Sequence, residues 1–259
     1  MNVSAAESAS RRPLWRLDGP RTLFVGPLDR NAAHEHGAPV FLAGPYGRFA
    51  LKVGNGPWRT CRTALIPAGV PHELRLDGDP LGVLYLEPQA EGAPALQALL
   101  RDAEEADGAL IGHAGETETF RALFDDPASL GWADEAIADL TRFSARRAPC
   151  AVDARVRRAA DLAAENETAR LDQAARAAGL SVSRLQHLFT AEIGVSFRRY
   201  RRWTRMRRAI AEIVGGASFT AAAHAAGYAD QPHFARDFRR TFGAPASRSL
   251  TDVRRAPGR

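Results

Sequence analysis

The chain is poor in lysine, cysteine and methionine, and it has no long apolar run. Lys52 is the only lysine among 35 basic residues, so arginine richness alone is open to explanation by coding bias in the source genome. Two cysteines, Cys61 and Cys150, lie far apart without motif spacing, which excludes a disulfide framework and a cysteine metal knuckle. No run of eighteen apolar residues occurs. Nor does a charged-then-apolar leader, and the expectation is a soluble, cytoplasmic protein that does not enter a membrane. What is present is an uneven charge. Residues 151–259 hold 20 arginines against 10 acidic residues, whereas 1–150 hold 15 basic and 20 acidic ones. Coding bias explains arginine in place of lysine but not this asymmetry, so one half is built to meet a polyanion. A length of 259 residues suits two modest domains or one large one.

The sharpest pattern occurs twice. Ala174-Ala175-Arg176-Ala177-Ala178-Gly179-Leu180 aligns with Ala222-Ala223-His224-Ala225-Ala226-Gly227-Tyr228. In each copy a small-residue helical turn runs into glycine, whose φ > 0 geometry ends a helix. A capping residue follows, Ser181 or Asp230, and then a short amphipathic segment anchored by Leu185, Leu188 and Phe189, or by Phe234 and Phe238. Helix, tight glycine turn, helix is the helix-turn-helix unit, whose second helix enters the DNA major groove. Between the copies a long helix is expected over about 196–214. Its apolar positions alternate with Arg198, Arg199, Arg201, Arg202, Arg205, Arg207 and Arg208, which are candidates for phosphate contact. Gly215-Gly216 ends that helix, and Ser218 caps the next. Arg170 stands where a capping Ser or Thr is expected before the first repeat.

The N-terminal half has a different texture. Residues 1–13 read as a disordered tail. From 14 to 90, short apolar runs broken by Gly and Pro predict a small β-barrel or sandwich. Here Pro67-Ala68-Gly69-Val70-Pro71-His72 resembles the second half-motif of cupin barrels, and His34-x-His36 the start of the first. The glutamate expected beyond that pair is missing. His34, His36 and His72 form a candidate effector or metal site, and imidazole suits zinc, nickel or iron. Glu87 is the nearest fourth ligand in sequence. Trp58, Phe41, Phe49 and Tyr85 are either pocket lining or core. His113, in a glycine-rich stretch read as loop, is assigned no role. Residues 91–143 turn to helical spacing and are read as a helical, dimerising segment, with Trp132, Ile137 and Leu140 as the candidate contact. Residues 144–152 read as a linker and 153–250 as the DNA-binding domain, opened by a capping Asp153. Residues 245–259 read as a fraying basic tail.

Over about 153–248 the chain closely resembles the DNA-binding region of the AraC/XylS family of bacterial transcription regulators. The match rests on Asp153, the Gly179 turn, Ser-Arg-Leu-x-x-Leu-Phe at 183–189, Gly194, Gly-Tyr at 227–228, His-Phe-x-Arg-x-Phe at 233–238 and Phe-Gly-x-Pro at 242–245. The family's usual aromatic–Arg pair is Ser249-Leu250 here. The resemblance implies an α+β protein, with a cupin-like β-barrel and accessory helices followed by an all-α double helix-turn-helix domain. Positions equivalent to Ser183, Gln186, His187, Gln231 and Arg236 typically face the groove in that family. Helical spacing also turns Arg184, His233, Arg239 and Arg240 outward, the last two toward phosphate. Gln suits adenine and Arg suits guanine. Double-stranded DNA is the expected partner, with RNA polymerase, an unidentified small effector and a second copy through 91–143 as further ones.

Three functions compete. The first is a regulator, not an enzyme, whose N-terminal domain senses a small ligand or metal and modulates DNA engagement. The second is a cupin-type metalloenzyme carrying a DNA-binding domain, which needs a complete metal set. The third is a constitutive DNA-binding protein without effector, which needs little sequence preference.

Overall fold

The computed structural model describes residues 12–87, 96–147 and 152–255. Most of the tail expected over 1–13, part of the linker and Cys150 lie outside these. Eleven strands form two sheets among the described residues. They are β1 (Leu14–Asp18), β2 (Arg21–Pro27), β3 (Arg30–His34), β4 (Val40–Ala43), β5 (Phe49–Val53), β6 (Trp58–Cys61), β7 (Thr63–Ile66), β8 (His72–Arg75), β9 (Pro80–Leu86), β10 (Leu100–Ala106) and β11 (Ala109–Gly115). The larger sheet has the order β1-β2-β9-β4-β7-β11-β10, and the smaller β3-β8-β5-β6.

Strands in the middle of the larger sheet are buried on both faces, and side-chain alternation sorts them into two cores. Val40, Leu42, Val83 and Tyr85 face the smaller sheet. Phe41, Ala43, Leu84 and Leu86 face the opposite way, where helices α1 (Glu118–Asp125) and α2 (Ala133–Arg147) cover the sheet. Gly82 is required there: a Cβ would meet the Phe120 ring at 2.2 Å.

The C-terminal half is helical: α3 (Ala154–Glu165), α4 (Leu171–Ala177), α5 (Val182–Ile193), α6 (Phe197–Val214), α7 (Phe219–Ala225), α8 (Gln231–Phe242) and a short α9 (Ser247–Leu250). Ser181, Ser196, Ser218 and Asp230 each accept a hydrogen bond from the backbone two or three residues on, as N-caps do. Asp153 caps α3 in the same way. Arg170 supplies no side-chain cap; instead the Gln173 Oε1 accepts the Arg170 N–H at 2.8 Å. The apolar core of this half is continuous with that between the two sheets, so the chain folds on itself with no gap between its halves.

Several expectations are corrected. Residues 100–115 form the hairpin β10–β11, which extends the larger sheet through β7, rather than a helix. His113 lies on that strand, exposed. The stripe proposed as a dimer contact is inside the chain: Ile137 and Leu140 are buried under the sheet, with Trp132 packed beside them. Residues 144–147 continue α2 and are not linker. As far as residue 255 the basic tail is anchored, since Leu250 and Val253 are buried and the Arg254 side chain donates to the carbonyls of Leu123 at 2.9 Å and Asp126 at 2.8 Å. That guanidinium satisfies carbonyls a helix end leaves without partners. Residues 12 and 13, assigned to the tail, are likewise held: Pro13 accepts the Arg254 N–H.

Candidate nucleic-acid interface and histidine cluster

The two repeats fold alike. Both α4 and α7 have 7 residues, and both α5 and α8 have 12. Gly179 (φ +65°) and Gly227 (φ +74°) occupy the left-handed turn between them. Beyond each glycine, Leu180 N–H donates to Ala175 and Tyr228 N–H to Ala223, both at 2.9 Å, closing the same helix-ending motif twice.

On α5, Leu185 and Phe189 are buried while Ser183, Arg184, Gln186 and His187 are exposed. On α8, Phe234, Phe238 and Phe242 are buried, and Gln231, Arg236, Arg239 and Arg240 are exposed. His233 is half-buried, its ring edge-on to Tyr228. Gln231 Oε1 accepts from Thr220 Oγ at 2.8 Å, so α7 orients that amide. The face that helical periodicity turns outward is therefore open on both helices.

The connecting helix α6 uses its arginines differently from the sequence expectation. Arg199 pairs with Glu35, Arg202 and Arg205 with Asp237, Arg207 with Glu87 and Arg208 with Glu167. Arg201 donates to the Glu167 carbonyl. Arg198, Arg201, Arg202 and Arg205 line a cleft of about 320 Å³, closed by Glu167, Thr168 and the Ala226–Gly227 turn. It lies between the two helix-turn-helix units. Sequence reasoning missed Asp237, a buried acid on the inner face of α8 that also accepts from Tyr228 Oη at 3.1 Å.

Glu87, the candidate fourth metal ligand, is turned to α6 and not to the histidines. Its two oxygens accept from Tyr200 Oη (2.9 Å), Trp203 Nε1 (3.1 Å) and Arg207 Nη1 (2.5 Å). Burial raises its pKa, opposed by Arg207 and then by the other donors. Arg207 reaches on to Thr22 Oγ and the Gly19 carbonyl, so one buried carboxylate and one arginine join β2 to α6.

The three histidines do come together. His34 on β3 and His72 on β8 are cross-strand partners, and His36, two residues on from His34, stays on the same face. Their ring centroids lie 4.2–5.1 Å apart, and all three are buried. His34 Nδ1 donates to the Ala32 carbonyl (2.8 Å) and His72 Nδ1 to the Val70 carbonyl (3.0 Å). A carbonyl can only accept, so these bonds set the tautomer and leave Nε2 as the lone-pair atom. Among the described residues, His72 Nε2 and His36 Nδ1 are buried without a partner; such an atom costs about 1–3 kcal/mol if left so. Burial lowers the pKa of all three, that of His72 to about 4, so the imidazoles are neutral at pH 7.

The rings line a cavity of about 30 Å³, room on the order of one or two waters. Its other walls come from both halves: Trp15, Leu42 and Tyr85 from the sheets, Phe238 and Phe242 from α8. Of the four aromatics considered as lining, only Tyr85 is here. Phe41 packs on Phe120, Phe49 is core, and Trp58 carries the Arg75 guanidinium on its face. The end of α8 is tied to the strand bearing His34. Ala32 N–H donates to the Gly243 carbonyl (2.9 Å) and Asn31 Nδ2 to the Phe242 carbonyl (2.8 Å).

Residues 174–251 match a family model described as a helix-turn-helix domain, the AraC-type form. That stretch is therefore an AraC-type helix-turn-helix domain. A domain of this type binds DNA, and the chain carries it in its helical half. ToxT from Vibrio cholerae is similar in fold across both halves: TM-score 0.59, 13% identity, 90% of this chain and 98% of that one. A structure of unsaturated fatty acid bound wild-type ToxT gives 0.60 at 14% identity, over 92% and 97%. A transcriptional regulator with an AraC-type DNA-binding domain from Chromobacterium violaceum is 25% identical over 40% of this chain and 95% of its own, at TM-score 0.37. No curated protein matches the chain in the sequence comparison. Among the described residues no helix is long and apolar enough to cross a membrane.

Proposed function

We propose that this chain is an AraC-type regulator that reads two successive major grooves with α5 and α8, and that an effector held between its halves controls the second reading head. The observation that carries this reading is the double use of α8. Its outer face exposes Gln231 and Arg236, while Phe238 and Phe242 on its inner face wall the histidine cavity. Whatever occupies or widens that cavity acts on the helix that meets DNA, which is the differential contact an allosteric effect requires.

Ser183, Gln186 and His187 on α5, with Gln231 and Arg236 on α8, are the base-reading residues in this proposal, each bidentate contact discriminating by about 1–3 kcal/mol. Arg184, His233, Arg239 and Arg240 flank them as backbone contacts. The arginine cleft beside Gly227 sits between the heads, where phosphates of the intervening backbone pass. Reading heads one turn apart, roughly 34 Å, would protect two neighbouring grooves per chain. One ToxT structure is described with unsaturated fatty acid bound and another with a naphthalenyl butenoic acid, so a protein of this fold takes small ligands, which supports an effector here. Contact with RNA polymerase and a cytoplasmic location complete the proposal. A homodimer through 91–143 would use the outer side of α2, where Phe143 is exposed.

Selection of binding sites from random DNA, followed by footprinting, tests this. Alanine at Gln186, His187, Gln231 and Arg236 together should reduce binding to the nonspecific level at fixed salt. Unchanged selectivity in that variant, or one short protected groove per chain, refutes the reading.

A further inference from the structure

We propose that His34, His36 and His72 form a three-imidazole site for a zinc-class divalent cation, placed so that the end of α8 senses whether it is filled. The proposal rests on the regulator reading above and names the effector class for the same cavity.

Geometry comes first. One ligand nitrogen from each ring lies within 4.8 Å of the others. Around a tetrahedral ion with metal–nitrogen bonds of about 2.0–2.1 Å, neighbouring nitrogens stand roughly 3.3 Å apart, so small ring rotations suffice. Orientation comes second. The Nδ1 atoms of His34 and His72 donate to backbone carbonyls, the outer-shell bonds that aim a ligating imidazole and raise its basicity. Third, His72 Nε2 and His36 Nδ1 are buried polar atoms without partners among the described residues. A cavity of about 30 Å³ admits an ion with a water but not an organic molecule of drug size, which needs about 300 Å³ or more.

The donor set selects the ion. The cluster contains neither carboxylate nor thiolate, and three neutral nitrogens suit zinc and its neighbours, not calcium or magnesium. Glu87 cannot complete the site, since Tyr200, Trp203 and Arg207 already hold its oxygens. The fourth position falls to a water or hydroxide, with the Tyr85 hydroxyl 3.4 Å from His36 Nε2 on one side.

Coupling follows from the strand that carries the ligand. His34 ends β3, and Asn31 and Ala32 of the same strand donate to the Phe242 and Gly243 carbonyls at the end of α8. The Phe242 ring is 5.6 Å from that of His36. Gly243 fits against the strand only because it lacks a side chain, since a Cβ would lie 2.2 Å from the Ala32 carbonyl oxygen. Rings drawn onto an ion therefore move atoms against which α8 is packed.

The test uses the full chain stripped with chelator. Titration with Co²⁺ should give the intense visible bands of a tetrahedral site at one ion per chain, displaced by Zn²⁺. His72→Gln and His36→Gln should each weaken binding at least 100-fold, and His113→Gln, on the exposed side of β11, should not change it. If the cluster variants fail to fold, imidazole ¹⁵N spectra of the unaltered chain decide: three histidines should shift on adding Zn²⁺. Absence of one-to-one binding, unchanged affinity in His72→Gln, or shifts confined to other histidines overturns the site. Hydrogen exchange reads the coupling, with protection of the Ala32 amide expected to change at least tenfold on Zn²⁺ binding. An unchanged rate overturns the link to α8. Neither readout involves DNA, so a chain that bound no DNA would refute the regulator reading and leave the ion site standing.

Discussion

Glu87→Ala is the most revealing single change. The carboxylate and its partner Arg207 are nearly buried, with side-chain exposures of 2% and 12%. Breaking such a pair from one side costs about 3–5 kcal/mol, because the remaining charge keeps its desolvation penalty. Tyr200 and Trp203, both buried, lose their acceptor in the same step. Arg207 retains Thr22 and two backbone carbonyls, which argues for about 3 kcal/mol, the lower end. The core runs unbroken from the sheets into the helices, so urea should unfold the chain in one transition. With a slope on the order of 3 kcal/mol per molar, the midpoint should fall by about 1 M. Glu87→Gln keeps an acceptor and should lose less. A double-mutant cycle with Arg207→Ala isolates the pair and should give a coupling of at least about 2 kcal/mol. Additive single effects, within about 0.5 kcal/mol, would refute the claim that this ion pair joins the halves.

Gly243→Ala should destabilise the contact between α8 and β3, since φ is +70° and the new methyl meets the Ala32 carbonyl. Faster hydrogen exchange at Ala32 with α5 unaffected is the signature. Gly179→Ala places a side chain in open space at φ +65°, so it should cost only the left-handed penalty of about 1–2 kcal/mol, read by thermal melting. Arg155 holds the carboxyl of Asp153 down to about 2, by its side chain and its backbone N–H. A depressed acid stabilises above its unfolded value of 3.8 and loses that as pH falls through about 2. Asp153→Asn should therefore flatten the acid limb of a stability profile between pH 4 and 2. Burial pushes the Cys61 thiol up to about 12, so in a Cys150→Ser chain alkylation at pH 8 should be far slower than for a free thiol; rapid labelling would contradict the packing.

Local signals carried a large part of the helical half. Glycine turns, Ser and Asp caps and the 3.6-residue spacing of Leu185, Phe189, Phe234 and Phe238 act within a dozen residues, so they are legible without tertiary context, as are the outward positions on α5 and α8. The pairing of His34 with His72 was readable as two cupin-like half-motifs, though only strand register shows their rings meeting. The remainder depended on partners distant in sequence. Leu100–Ala106 is rich in acidic helix formers, yet it is a strand because β11 pairs with it, and tertiary pairing overrides a weak propensity. Nothing near Glu87 announces Tyr200, Trp203 and Arg207, more than 110 residues on.

The sequence by itself determined that this protein has two helix-turn-helix units and which residues of their second helices face outward, because helix periodicity and capping are short-range physics. Only the tertiary structure decided that six of seven connecting-helix arginines are engaged within the chain, that the tail as far as residue 255 is anchored by Arg254, and that α8 closes over the histidines. Charge pairs and buried polar atoms are satisfied by whatever the fold brings near, and that is a property of the packed chain as a whole.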